Sequence, residues 1–147
     1  MAIKIIFPTK GFAALQNGIK SQVKTAITDC TNDLLRVASL RAPTDSGTLE
    51  QSGTSRVSSG SKITGEVSFR AVKKGYNYAY KMDTDKYNLG EKSQSKSASG
   101  VRSRFSKDIM KVGAGYLSDT AKSCEKGYKE HIQEKVGVAI KMGGFVK

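Results

Sequence analysis

The sequence predicts an α+β fold, in which a long N-terminal helix and a C-terminal helix pack on a small, mainly antiparallel sheet. Three observations support this class. Apolar residues recur every three or four positions from Phe12 to Ala38, they alternate with polar residues from Ile63 to Ala71, and neither period is present over 83–107. Because 147 residues suit one domain, we expect residues 1–147 to share a single core.

The first two predicted elements are a short strand and a long helix. Residues 1–7 are rich in isoleucine and read as a strand that Pro8 ends. A helix from about residue 11 to 39 follows, because one face carries Phe12, Leu15, Ile19, Val23, Ile27, Cys30, Leu34 and Val37. We expect Pro43 to end this helix, since proline has no N–H and disfavours helical backbone at Ala42.

A structural turn is predicted at residues 42–49, which read Ala-Pro-Thr-Asp-Ser-Gly-Thr-Leu. After Pro43, the side chain of Asp45 can accept hydrogen bonds from nearby N–H groups, and Gly47 can take a positive φ. Leu49 then returns the chain to the core. We expect the turn to lead directly into a strand.

Three strands are expected after the turn. A strand at about 48–57 pairs with one at 62–71 as a hairpin, because the second alternates apolar and polar residues. Residues 76–82 predict a third strand with three tyrosines on one face. Tyrosine is enriched at protein interfaces, so this face is a candidate interface, although a helix covering the sheet would explain it nearly as well. The three are Tyr76, Tyr78 and Tyr80.

Residues 83–107 lack any apolar period and predict a long, flexible basic loop. Residues 86–107 contain six cationic residues and one acidic residue, Glu91. Such a segment is often merely solvated surface, but its charge favours contact with a phosphate backbone or an acidic protein. The candidate contact residues are Lys86, Lys92, Lys96, Arg102, Arg104 and Lys107.

The chain then returns to helical periodicity. Ser118 is a candidate N-cap, and one face of the predicted helix carries Leu117, Ala121, Cys124, Tyr128, His131 and Ile132. Gly137 is expected to end the helix. Alternation over 136–141 predicts a last strand.

Composition narrows the function. Lys and Arg number 25 against 13 Asp and Glu, so the net charge of +12 implies an acidic partner. No apolar run is as long as the about 18 residues that a membrane-spanning helix needs. The two cysteines are far apart in the sequence and match no metal-binding spacing, so we expect buried thiols in a reducing compartment. We expect no enzyme activity, cofactor or metal, because neither a catalytic triad nor a nucleotide-binding glycine motif can be written.

The turn at 42–49, placed after a long helix, resembles the A-P-x-D-T/S-G-x-L signature of small neck proteins of long-tailed bacteriophages. These proteins are also described as head-tail joining, tail completion or minor capsid proteins. Tyr78-Ala79-Tyr80 resembles the family's aromatic Y-A-x strand, and Gly115-Tyr116-Leu117 resembles its P-F-L. The order agrees over roughly residues 10–140, with Glu50 where the family commonly has a basic residue.

The resemblance implies a structural virion protein at the head-tail junction, made in the host cytoplasm. It implies a homo-oligomeric ring, with a hexamer as the expected form, that contacts head-completion, tail-terminator or tail-tube proteins. DNA in the ring lumen is a further expected partner, and no membrane is involved. An alternative is a small basic nucleic-acid-binding protein that uses the 86–107 loop.

Overall fold

The computed structural model describes residues 1–8, 17–60, 62–96 and 98–136, which form an α+β fold with a small antiparallel sheet. The predicted class is confirmed. The described strands are β1 (Ala2–Pro8), β2 (Thr54–Ser59), β3 (Lys62–Ser68), β4 (Val72–Lys73) and β5 (Tyr76–Asn77). The described helices are α1 (Asn17–Arg41), α2 (Thr48–Gln51), α3 (Ala79–Thr84), α4 (Glu91–Ser95) and α5 (Ser118–Val136).

The main sheet has the strand order β1-β3-β2, with both pairs antiparallel. Its central strand buries alternate residues against α1, as its sequence period requires. Gly65 lies on that face, opposite Ile5 in β1 and Val57 in β2. A Cβ at Gly65 would collide with the hydroxyl of Thr31, so glycine here lets α1 lie close to the sheet.

Helices α1 and α5 run in opposite directions and pack against each other. A hydrogen bond joins the Asp29 carboxylate to Nε2 of His131, and the hydroxyl of Tyr128 donates a hydrogen bond to the Asp33 carboxylate at 2.9 Å. The predicted apolar faces are confirmed at ten described positions, which are buried: Val23, Ile27, Cys30, Leu34, Val37, Leu117, Ala121, Cys124, Tyr128 and Ile132. His131, predicted on the same face of α5, is only partly buried. The predicted helix start near residue 11 lies outside the described residues.

Two strand boundaries are wrong. The turn at 42–49 leads into α2 rather than a strand, and β2 begins at Thr54. The predicted third strand at 76–82 stops at Asn77, whose side-chain oxygen accepts hydrogen bonds from the N–H groups of Ala71 (3.1 Å) and Ala79 (3.2 Å). These bonds turn the chain into α3, a role for which asparagine is suited.

Residues 83–107 are not a loop without structure, because α4 and several long-range hydrogen bonds lie within them. Mobility of this segment stays a prediction. The predicted cap of α5 is also wrong. Ser118 is the first helical residue, and the carboxylate of Asp83 accepts hydrogen bonds from the N–H groups of Leu117 (2.8 Å) and Ser118 (3.1 Å). The predicted strand at 136–141 lies almost wholly outside the described residues.

Candidate functional site

The predicted turn, the start of the predicted basic loop and the region of the tyrosines meet around one groove of about 820 Å³. The groove lies at the C-terminal end of α1. Its apolar lining comes from Pro43, Leu49, Val72, Tyr78, Met82, Tyr87 and Leu89. Six of the candidate residues that sequence reasoning assigned to separate features line this groove: Pro43, Asp45, Gly47, Leu49, Tyr78 and Lys92. The later part of the basic segment lies elsewhere.

The turn has the backbone that its residue types predict. Helix α1 ends at Arg41, before Pro43, and Gly47 has a φ of 83°, in the left-handed region that favours glycine. Leu49 is buried in the core. Asp45 is exposed, and its carbonyl accepts a hydrogen bond from the Lys92 ammonium at 3.0 Å.

Lys96 fastens the basic segment to the end of α1. Its ammonium donates to the carbonyls of Ser39 (2.9 Å) and Ala42 (2.8 Å) and forms an ion pair with Glu50. These carbonyls lie at or just past the helix C-terminus, where a cation is favoured. Only 14% of the Lys96 side chain is exposed, so it supports the fold rather than offering a free charge.

Ser93 adds a second attachment. Its Oγ accepts the N–H of Thr44 at 2.9 Å, and its hydroxyl donates to the Thr44 carbonyl at 3.0 Å. Nearby, the hydroxyl of Tyr87 donates to the Met82 carbonyl at 2.6 Å. Burial and the negative charge of Asp83 raise the pKa of Tyr87 to about 12, so this donor stays protonated at neutral pH.

The other predicted contact residues are exposed: Lys86, Lys92, Arg102, Arg104 and Lys107. They do not form one continuous strip. The later part of the segment is held elsewhere, because buried Asp33 accepts hydrogen bonds from the hydroxyls of Ser103 and Tyr128. The guanidinium of Arg104 lies 4.9 Å from the ring centroid of Phe105.

The three predicted tyrosines do not share a face. The side chains of Tyr76 and Tyr80 are 60% and 63% exposed, whereas Tyr78 packs partly against the core. The prediction of a single aromatic strand face is wrong, because the chain enters α3 after Tyr78. Two of the three still lie on the surface, where a partner could contact them.

A buried polar cluster of Arg41, Asp83 and Thr120 lies where α1, α3 and α5 meet. Arg41 donates hydrogen bonds to the carbonyls of Lys111 (2.8 Å) and Gly115 (3.0 Å) and to the hydroxyl of Thr120 (2.6 Å). Burial lowers the pKa of Arg41 from its ordinary value. The carboxylates of Asp119 and Asp83 supply negative charge near Arg41. The hydrogen bonds that Arg41 and Asp83 make to α5 and its N-terminal end join α1, α3 and α5.

The single histidine of the chain lies at the contact between α1 and α5. Nε2 of His131 lies 2.9 Å from a carboxylate oxygen of Asp29, and the His131 ring packs edge-to-face with Phe105 at a centroid distance of 4.9 Å. No group of three His, Cys, Asp or Glu side chains within the described ranges could hold a metal ion. Among those ranges, no helix is both long and apolar enough to cross a membrane.

Sequence reasoning missed the cations of the β4–β5 hairpin. Lys73 and Lys74 are exposed, and Lys74 has a positive φ of 52°. The dipeptide Lys74-Gly75 between two short extended runs was the available signal, but it lacks the asparagine or aspartate typical of such hairpins.

Comparison with known proteins adds no relative: no protein family, no curated protein and no solved structure matches this chain.

Proposed function

We propose that this chain is a structural virion protein of a tailed bacteriophage, located at the head-tail junction, where it forms a ring that joins tail to head. The observation that carries the proposal is the turn at 42–49. Pro43 follows the end of α1, Gly47 takes a left-handed φ and Leu49 enters the core. The proline, glycine and leucine of the resembled signature thus each have a structural reason to stand at their positions in this chain.

The surface supports assembly with copies of itself. Among the described residues, five large apolar side chains are exposed, and a ring subunit needs two different contact surfaces because its interfaces are heterologous. The five are Leu40, Val72, Tyr76, Tyr80 and Ile109.

The charge fits such a location. A net charge of +12 suits a subunit next to DNA or to acidic neighbouring proteins such as head-completion, tail-terminator or tail-tube proteins. The ring has a structural task and requires no cofactor or catalytic residue.

Mass measurement and electron microscopy of the purified protein, alone and with its neighbouring tail proteins, test the proposal. We expect rings, with a hexamer as the expected form, and incorporation into particles. The double variant Leu40→Ser, Ile109→Ser should lower ring yield, while Lys24→Gln, on the exposed face of α1, should not. A strict monomer that is absent from virions contradicts the proposal.

The alternative function, nucleic-acid binding through the 86–107 loop, has less support. Lys96 is committed to α1 and Glu50, and the remaining cations of that segment lie on two separately anchored parts.

A further inference from the structure

The β4–β5 hairpin and the start of α3 form a basic, aromatic surface, and its Lys73 borders the same groove as Lys92 of the 86–107 segment. Residues 70–86 contain five cationic residues and two aspartates, and one aspartate, Asp83, is buried. The exposed members used below are Lys73, Lys74, Tyr76, Tyr80 and Lys81, which we name the hairpin surface.

The hairpin projects into solvent. A Cβ added at Gly75 would meet nothing within 4 Å, so the tip has open space around it. Lys73 lies directly opposite Tyr76 in the antiparallel register, which places both side chains on the same face. At the base, Asn77 accepts two backbone hydrogen bonds, and Tyr78 N–H donates to the Ala71 carbonyl at 2.9 Å. Hydrogen bonds therefore hold the base of the hairpin, while its tip extends into solvent.

The tip carries a residue that the turn disfavours. Lys74 and Gly75 both have positive φ, 52° and 77°, as a type I′ turn requires. Among the described residues Lys74 is the one non-glycine residue in that region, where asparagine or glycine is preferred. A lysine kept in a strained conformation at an exposed tip points to a use for its charge.

We propose that the hairpin surface binds the phosphate backbone of duplex DNA. Lys73, Lys74 and Lys81 neutralise phosphates, and the exposed hydroxyls of Tyr76 and Tyr80 donate hydrogen bonds to phosphate oxygens. A projecting hairpin suits a duplex better than a single strand, because sequence-independent single-strand binding uses a groove that follows the backbone. The binding carries no sequence preference, since every contact is to phosphate. It does not depend on ring formation.

The test is the salt dependence of binding to a short fluorescent duplex of mixed sequence, measured by anisotropy between about 50 and 200 mM salt. The log of affinity should fall by about 0.9 per log of salt for each phosphate neutralised. Lys74→Asn should reduce that slope by about 0.9 and weaken binding. Because Asn-Gly is the preferred turn, this variant should melt at the same or a higher temperature, so weaker binding cannot come from misfolding.

Matched variants separate the hairpin surface from net charge alone. Lys73→Gln and Lys81→Gln should each lower the slope, and Tyr76→Phe or Tyr80→Phe should weaken binding about 2- to 10-fold by removing a hydroxyl donor. Lys24→Gln removes one charge from α1, about 25 Å along the helix from Arg41, and should leave the slope unchanged.

Several results would overturn the proposal: no duplex binding near 50 mM salt, an unchanged slope in Lys74→Asn, or an equal loss of slope in Lys24→Gln. Tighter binding of a single strand would assign the surface to unpaired bases instead. Equal binding of polyglutamate would assign it to acidic protein. The ring proposal is judged separately by mass, so failure of one leaves the other distinguishable.

Discussion

Gly47 shows how one residue type is fixed by backbone geometry. Its φ of 83° is strained for a β-branched residue, and an added Cβ would lie 3.2 Å from the side-chain nitrogen of Gln51. We expect Gly47→Val to lower the free energy of unfolding by about 1 to 3 kcal/mol. Urea denaturation followed by circular dichroism measures this change.

Gly47→Asn is the matched control, because asparagine tolerates left-handed backbone better than valine. It should retain most of the stability that Gly47→Val loses. Equal stability of wild type and Gly47→Val would show that the turn adopts an ordinary extended conformation in solution.

At the scale of elements, the contact between α5 and the 102–107 segment explains why a glycine stands inside a helix, where it is normally disfavoured. Gly127 lies inside α5, and a Cβ there would collide with the backbone carbonyl of Phe105. Alanine in a helix interior is normally favoured over glycine by about 1 kcal/mol. We expect the reverse here, with Gly127→Ala losing about 1 to 3 kcal/mol because the 102–107 segment must move.

Thermal unfolding checks the sign of that change. Lys126→Ala, at the neighbouring exposed position of α5, provides the control for helix propensity and should change stability little. A more stable Gly127→Ala would mean that Phe105 does not lie against the helix in solution.

The basic segment is expected to be ordered by Lys96 at its α4 end. Lys96→Met removes the ammonium from the carbonyls of Ser39 and Ala42 and leaves Glu50 unpaired. We expect a loss of about 1 to 3 kcal/mol and faster amide hydrogen exchange in α4. Lys86→Met, at an exposed position, should change neither. Equally fast exchange in wild type would support the original prediction of a mobile loop.

The sequence predicts elements where burial imposes a period, and it misses elements held by single polar side chains. The apolar face of α1 and the alternation in β3 are readable because each residue repeats the same constraint. The end of β5 depends on Asn77, whose side chain bonds to nearby backbone and turns the chain. The start of α5 depends on Asp83, whose carboxylate bonds to backbone N–H groups far away in the sequence. Ser93 and Lys96 are further examples, because their partners in the turn and on α1 lie 49 and 57 residues away in the sequence, where no local pattern points to them.

In the candidate groove too, some residues are predictable from local rules and others depend on tertiary contacts. Pro43, Gly47 and Leu49 were predictable from local backbone rules, but their meeting with Tyr87 and Leu89 depends on tertiary packing. The exposure of Lys73 and Lys74 depends on a turn whose sequence is atypical.

At the scale of the whole molecule, the packing of α5 on α1 closes the core around two thiols. Cys30 and Cys124 are fully buried, and the Cys30 thiol lies 3.9 Å from the Tyr128 carbonyl across the two helices. Burial raises the pKa of both thiols, so in the native state each ionises at a higher pH than a free cysteine does.

Thiol reactivity therefore reports on separation of α1 from α5. With a disulfide reagent near pH 8, where an unfolded cysteine of pKa about 8.5 is partly ionised, we expect native protein to react only as fast as it opens, and denatured protein to react at once. Because the folded pKa values are raised, ionisation of the thiols costs stability as pH increases, so opening and reaction should accelerate at alkaline pH. Single Cys30→Ala and Cys124→Ala variants assign each rate. Equal slow rates at the two positions would indicate opening of the whole core, whereas rapid native reaction of either thiol would contradict a closed α1–α5 interface.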